Sequence, residues 1–251
     1  MKKVLVLASN YGLWAEELQA PWDAFKKAGF QVTLATEKGI TPLPFLPSMD
    51  KAFDDPVQHY LVNPAEVVDR TLELLKTGEW DHPIRIADAK AANYDGLAIV
   101  GGPGAPLDIV GNAKVHRLTE DFYHEGKILG ALCYAVGVFV WARRKDGKSI
   151  ISGKTVAAHP KEWDFTAEMS YKLYNASASN PGTDLITSGF VFPLQVIVED
   201  AVGERGKVVA VPAANRENPV VQYDHPFVTA QSVESSIAFG NAMVEALSRQ
   251  H

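Results

Sequence analysis

The chain has 251 residues, 47% of them hydrophobic and 22% charged, which is the composition of an ordinary globular protein whose core needs no disulfide or metal staple. The formal net charge of -6 argues against a phosphate-backbone binder, so no nucleic-acid partner is expected. A single cysteine rules out an internal disulfide and is compatible with a reducing, cytoplasmic setting.

The N-terminus "MKKVLVLA" carries two lysines and an apolar run of about five residues, short of the ~7–15 of a signal-peptide core. Residues 3–8 are therefore expected to form a first strand, buried on both faces. Residues 15–29 follow with helical spacing: Leu18, Trp22 and Phe25 share a face, and Gly29 suits the stop. Residues 31–35 (QVTLA) make a second strand, and this β-α-β opening implies a parallel sheet with helical crossovers. Residues 41–56 then carry four prolines and no period, as in a long ordered loop or lid. "NPAEVVDRTLELLKTG" predicts a helix with Asn63 as N-cap, Pro64 at its first position and Gly78 past its end.

Residues 94–102 (YDGLAIVGG) predict a third buried strand, 112–125 a helix stopped by Gly126, 127–132 a strand and 134–144 a helix. A short strand is expected over 154–160, then a helix and irregular structure to about 205. "KVVAVPA", "PVVQYD" and "FVTAQ" are strand candidates, and residues 232–250 close the chain as an amphipathic helix. The longest apolar stretch, 128–142, is too short for a membrane span of ~20 residues. No Gly/Ser-rich linker divides the chain. The expected fold is one doubly wound, mostly parallel α/β domain over 1–251, with cap insertions at about 40–90 and 161–205.

Four features could carry chemistry. Cys133, in "LGALCYAVGVF", falls between a strand and a helix, at the carboxyl end of the sheet where ligands gather. It reads either as a small core hydrophobe or as a nucleophile lifted out of a sharp turn, with the helix start lowering its thiol pKa. Gly130 and Gly137 do not match the glycine positions of the serine-hydrolase elbow. "IVGGPGAPLD" lacks GxGxxG spacing, and Pro103 and Pro106 remove amides that a phosphate cradle would use. The Gly102 amide, with that of Tyr134, could form an oxyanion hole, or the glycines could simply make a tight turn. His159, in "VAAHPKEWD", is a candidate base or a lone surface histidine, with Glu162 or Asp164 available to orient it. Glu16 and Glu17 either complement a helix dipole or supply a buried proton carrier. The seven histidines show no HExxH or close Cys/His spacing, so no metal site is expected.

Together, "EELQAP", "AIVGGPGA", "GALCYAVGVF", "GKTVAAHP" and "FVTAQSVESSIAFGNAMVEAL" resemble the ThiJ/PfpI superfamily, of class I glutamine amidotransferase-like fold, and its larger heat-shock, glyoxalase III-type branch. The resemblance implies Cys133 as nucleophile, Glu17 as the buried glutamate bonded to it, and the Gly102 and Tyr134 amides as oxyanion hole. That branch has histidine directly after the cysteine, where this chain has Tyr134. His159 instead matches a histidine of the compact, deglycase-like branch. "TAQSVESS" stands where a Gly-Gln-Asn-Pro-like turn is usual. The implied function is a cofactor-independent cysteine enzyme turning a small 2-oxoaldehyde into a hydroxy acid, in a homodimer. Isonitrile hydration, amide hydrolysis, or redox sensing with a stress-chaperone role are the other functions the same residues allow.

Overall fold

The computed structural model of the chain describes residues 1–164 and 193–250. Strand β1 (Lys3–Leu7) sends Val4 and Val6 into one core and Leu5 and Leu7 into another, which is why its sequence is apolar throughout. Helix α1 (Ala15–Lys27) leads into β2 (Gln31–Thr36), then α2 (Ala65–Thr77) and the two-residue β3 (Ile84–Arg85). Strand β4 (Gly96–Ile99), short α3 (Ala105–Asp108), α4 (Ala113–His124), β5 (Ile128–Leu132) and α5 (Gly137–Trp141) follow. The remainder comprises β6 (Thr155–Ala157), α6 (Lys161–Asp164), α7 (Leu194–Val202), β7 (Lys207–Val209), β8 (Val221–Asp224), β9 (Phe227–Ala230) and α8 (Ser236–Arg249).

Seven strands form one sheet in the order β3-β2-β1-β4-β5-β9-β8, parallel except for the antiparallel β8–β9 pair. The chain starts in the middle, winds outward to β3, then returns to build β4 and β5 on the other side. The order reverses between β1 and β4, and in open α/β sheets ligands bind beyond the strand carboxyl ends at such a reversal. Leu18, Trp22 and Phe25 of α1 pack with Phe239, Met243 and Leu247 of α8 on one face. Val115 and Phe122 of α4, Phe139 of α5 and Val198 of α7 cover the other.

Several sequence expectations are corrected. Asn63 does not cap α2, whose N-cap is Pro64; its side-chain amide instead donates to the carbonyls of Pro47 and Asp50, at 2.7 and 2.8 Å, and ties the proline-rich loop together. The strand expected over 154–160 shortens to β6, and with β7 it makes a separate two-stranded sheet, because Thr229 and Asp224 accept its outward amides. Residues 133–136 form a 3₁₀ turn before α5 rather than α-helix, and β3 had no sequence signal at two residues long. The cap expected over 161–205 falls largely on 165–192, outside the described residues.

The loop at 41–56 is docked on α1. Phe45 donates its amide to Leu13 at 2.8 Å, and Ser48 Oγ accepts from the Ala15 amide at 3.1 Å while donating to the Phe45 carbonyl at 2.6 Å. Ser48 thus does at a distance what a local N-cap side chain would do, and Trp14, the actual N-cap, makes no side-chain cap. Ser48→Ala is expected to cost about 1–2 kcal/mol in urea unfolding, since the buried Ala15 amide loses its partner while the Phe45 carbonyl keeps the Ser48 amide.

Candidate active site

Three loops meet at the reversal. After β5 the chain turns through Cys133, whose φ is +57°, one of three non-glycine residues with positive φ among the described residues. A left-handed conformation costs a residue with a β-carbon about 1–2 kcal/mol, and such strain gathers at functional turns. After β4, Gly101 donates its amide to Glu17 Oε2 at 2.9 Å. A β-carbon on Gly101 would stand 2.7 Å from that oxygen and 2.9 Å from the Cys133 β-carbon, so only glycine lets the two side chains meet. Gly102, at φ +93°, has the Leu13–Trp14 backbone where its side chain would be.

The Glu17 carboxyl and the amides of Gly102 and Tyr134 all hydrogen-bond the Cys133 sulfur. Burial pushes Glu17 up to about 8, the sulfur and the Gly101 amide pulling the other way, so at neutral pH it is a carboxylic acid. Burial also pushes the Cys133 thiol up, and a charged Glu17 would push it further; the two amides oppose both. This overturns the expectation of a lowered thiol pKa. The sulfur's residue is 6% exposed and the following helix, α5, is only five residues long, so desolvation outweighs the dipole.

His159 stands two residues beyond β6, its ring 4.8 Å from that of Tyr134 and 5.3 Å from that of Trp163. Its Nδ1 lies 2.8 Å from Asp164 Oδ1, off the line of an N–H···O hydrogen bond. The Tyr134 hydroxyl donates to the same oxygen at 3.0 Å, and the other carboxylate oxygen accepts the Leu194 amide at 3.0 Å. Of the two acids proposed to orient His159, Asp164 is the one in contact.

Cys133, Glu17, His159, Gly102 and Tyr134 all line one cavity of about 310 Å³. The proline-rich loop closes it with Phe45, Pro47 and Phe53, the rings of Phe45 and Phe53 standing 6.2 and 6.1 Å from that of Trp14. Glu16 does not join them. It is buried in a bidentate pair with Arg216, both oxygens at 2.5 Å, and Arg216 also donates to the Val62 carbonyl at 2.7 Å. Among the cavity residues that had no sequence signal is Glu234, which is buried and accepts hydrogen bonds from the hydroxyls of Tyr60 and Ser232. An acid just ahead of a helix reads as dipole complementation, so only the tertiary contact reveals it. Among the described residues no three His, Cys, Asp or Glu side chains could hold a metal, and no helix is long and apolar enough to cross a membrane.

A family model described as ThiJ/PfpI family-like matches residues 8–173. Glutathione-independent glyoxalase hsp3102 of Schizosaccharomyces pombe is 25% identical over 175 residues, covering 63% of this chain and 66% of that protein. The glutamine amidotransferase-like class 1 domain-containing protein 1 of Bos taurus is 25% identical over 155 residues, covering 62% and 60%. The alignments thus span just under two thirds of these relatives' own length. Among solved structures, glyoxalase III from Candida albicans superposes with a TM-score of 0.71 at 17% identity, covering 98% of this chain and 97% of that one. The rapid encystment protein of Francisella tularensis does so at 0.71 and 20%, covering 98% and 99%. At these identities the structural likeness is one of fold.

Proposed function

The chain belongs to the ThiJ/PfpI family, and on that footing we propose that it is a cofactor-independent cysteine enzyme that converts a 2-oxoaldehyde to a 2-hydroxy acid. The observation that carries this reading is the strained Cys133, its sulfur in contact with a protonated carboxyl and two amides at the wall of a cavity of about 310 Å³. The similarity to named glyoxalases supports the substrate class.

In the proposed sequence the sulfur adds to the aldehyde carbon; the carbonyl electrons move to oxygen, which takes up the thiol proton and lies within reach of the Gly102 and Tyr134 amides. A base, assigned to His159, removes the hydrogen of that carbon as a proton. Glu17 protonates the neighbouring carbonyl oxygen, giving an enediol. His159 returns its proton to the second carbon while the hydroxyl of the first carbon gives its proton back to Glu17, which leaves a thioester, one carbon oxidised and the other reduced. Water then breaks the C–S bond, releasing the hydroxy acid and restoring the thiol. No external oxidant or reductant enters the balance. Asp164 is assigned to hold His159 and the Tyr134 hydroxyl in place.

The test is methylglyoxal without glutathione, followed by proton NMR in D₂O. Lactate carrying solvent deuterium at its second carbon is the expected product, because a side-chain proton exchanges with solvent. His159→Asn is expected to lower kcat about 100-fold. No lactate, with turnover of an isonitrile or an amide in the same assay, would replace this reaction by hydration or hydrolysis at the same cysteine.

A further inference from the structure

The cavity has a one-sided charge. Among the described residues its lining includes four carboxyls, those of Glu17, Asp54, Asp55 and Glu234, and neither lysine nor arginine. The neighbouring Arg216 does not line it and is already engaged by Glu16 and the Val62 carbonyl. Glu234 is held from both sides by uncharged donors, the hydroxyls of Tyr60 and Ser232, which fix its oxygens without cancelling its charge. The charges of Asp55 and Glu16 act on Glu234, and that of Glu234 acts on Glu17, so all belong to one electrostatic neighbourhood beside the reactive sulfur. Burial and these like charges raise the Glu234 carboxyl to about 7. A buried carboxylate without a cation is costly, and a ligand cation would relieve it. The rings of Trp14 and Phe53 line the same cavity, and an aromatic ring attracts a cation over its face.

We propose that Glu234, supported by Asp55, is the specificity-determining residue of this cavity, drawing positively charged small electrophiles to Cys133 and turning away anionic ones. The inference rests on the reading of Cys133 as an accessible nucleophile, though not on which reaction it catalyses.

Its test therefore avoids turnover. Three methanethiosulfonates with the same two-carbon spacer are compared: the cationic 2-aminoethyl, the neutral 2-hydroxyethyl and the anionic 2-sulfonatoethyl reagents. Each gives Cys133 a mixed disulfide as the thiolate displaces methanesulfinate, read by intact mass. Rates are taken at low salt and about pH 8, where Glu234 is ionised, and divided by those for 2-mercaptoethanol. The cation-to-anion ratio at Cys133 is expected to exceed that of the free thiol by at least about tenfold, and Glu234→Gln to remove about tenfold of it. Asp55→Asn, on the partly exposed loop, is expected to act in the same direction with a smaller fall, and serves if Glu234→Gln does not fold. Labelling at free-thiol ratios, or ratios unmoved by both variants, overturns the charge selection and leaves the enzyme reading standing. Absence of labelling even by the neutral reagent overturns both.

Discussion

Glu17→Gln is expected to yield a protein that melts at a higher temperature and turns over at least about 100-fold more slowly. The two effects share a cause. Glu17 is completely buried, and its carboxyl is raised from 4.5 to about 8. The folded protein therefore holds a proton that the unfolded chain has already released over that interval. With fewer protons bound when unfolded, stability falls as pH rises from about 4.5 to about 8 and is level on either side. At pH 7 this amounts to about 3 kcal/mol, which glutamine does not incur because it has no proton to lose. Glutamine can still accept from the Gly101 amide. Thermal melts at pH 4 and pH 7 should show no gap between variant and parent at the lower pH and most of the gap at the higher one. A pH-independent gap would mean that Glu17 is ionised in the folded protein. The lost activity follows because the amide cannot give a proton to a developing oxyanion.

Cys133→Ala is expected to lower kcat/KM by at least about 1,000-fold, since the chain has no other thiol to form the covalent adduct. Its stability is diagnostic in another way. Alanine keeps the β-carbon, so it keeps the strain of φ +57°, whereas glycine releases it. Cys133→Gly is accordingly expected to be about 1 kcal/mol more stable than Cys133→Ala in urea unfolding. Both variants should be equally inactive. Residual activity in either would transfer the chemistry to another group. Full protection of an aggregating client by Cys133→Ala would point to chaperoning that does not use the sulfur.

The sequence made the sheet legible because burial on both faces leaves a mark in order along the chain. "VLVLA", "GLAIV" and "ILGAL" are apolar at every position, and the intervening helices carry their apolar residues every three or four. The mostly parallel, doubly wound α/β class followed from that alternation, as the seven-stranded sheet bears out. The bend at Cys133 was legible too, as a small-residue stretch between strand and helix. Asn63 shows the limit: its local pattern is that of a helix cap, yet carbonyls 13 and 16 residues away compete successfully for its side chain.

By itself, then, the sequence determined the fold class, the family resemblance and the place of the cysteine, all of which are written in neighbouring residues. Only the tertiary structure decided that Glu16 pairs with Arg216, that Asp164 rather than Glu162 meets His159, that Glu234 enters the cavity, and that the thiol is pushed up rather than down. Those outcomes depend on burial and on contacts between residues up to 200 positions apart, and a group's desolvation is set by everything packed around it, which no local pattern encodes.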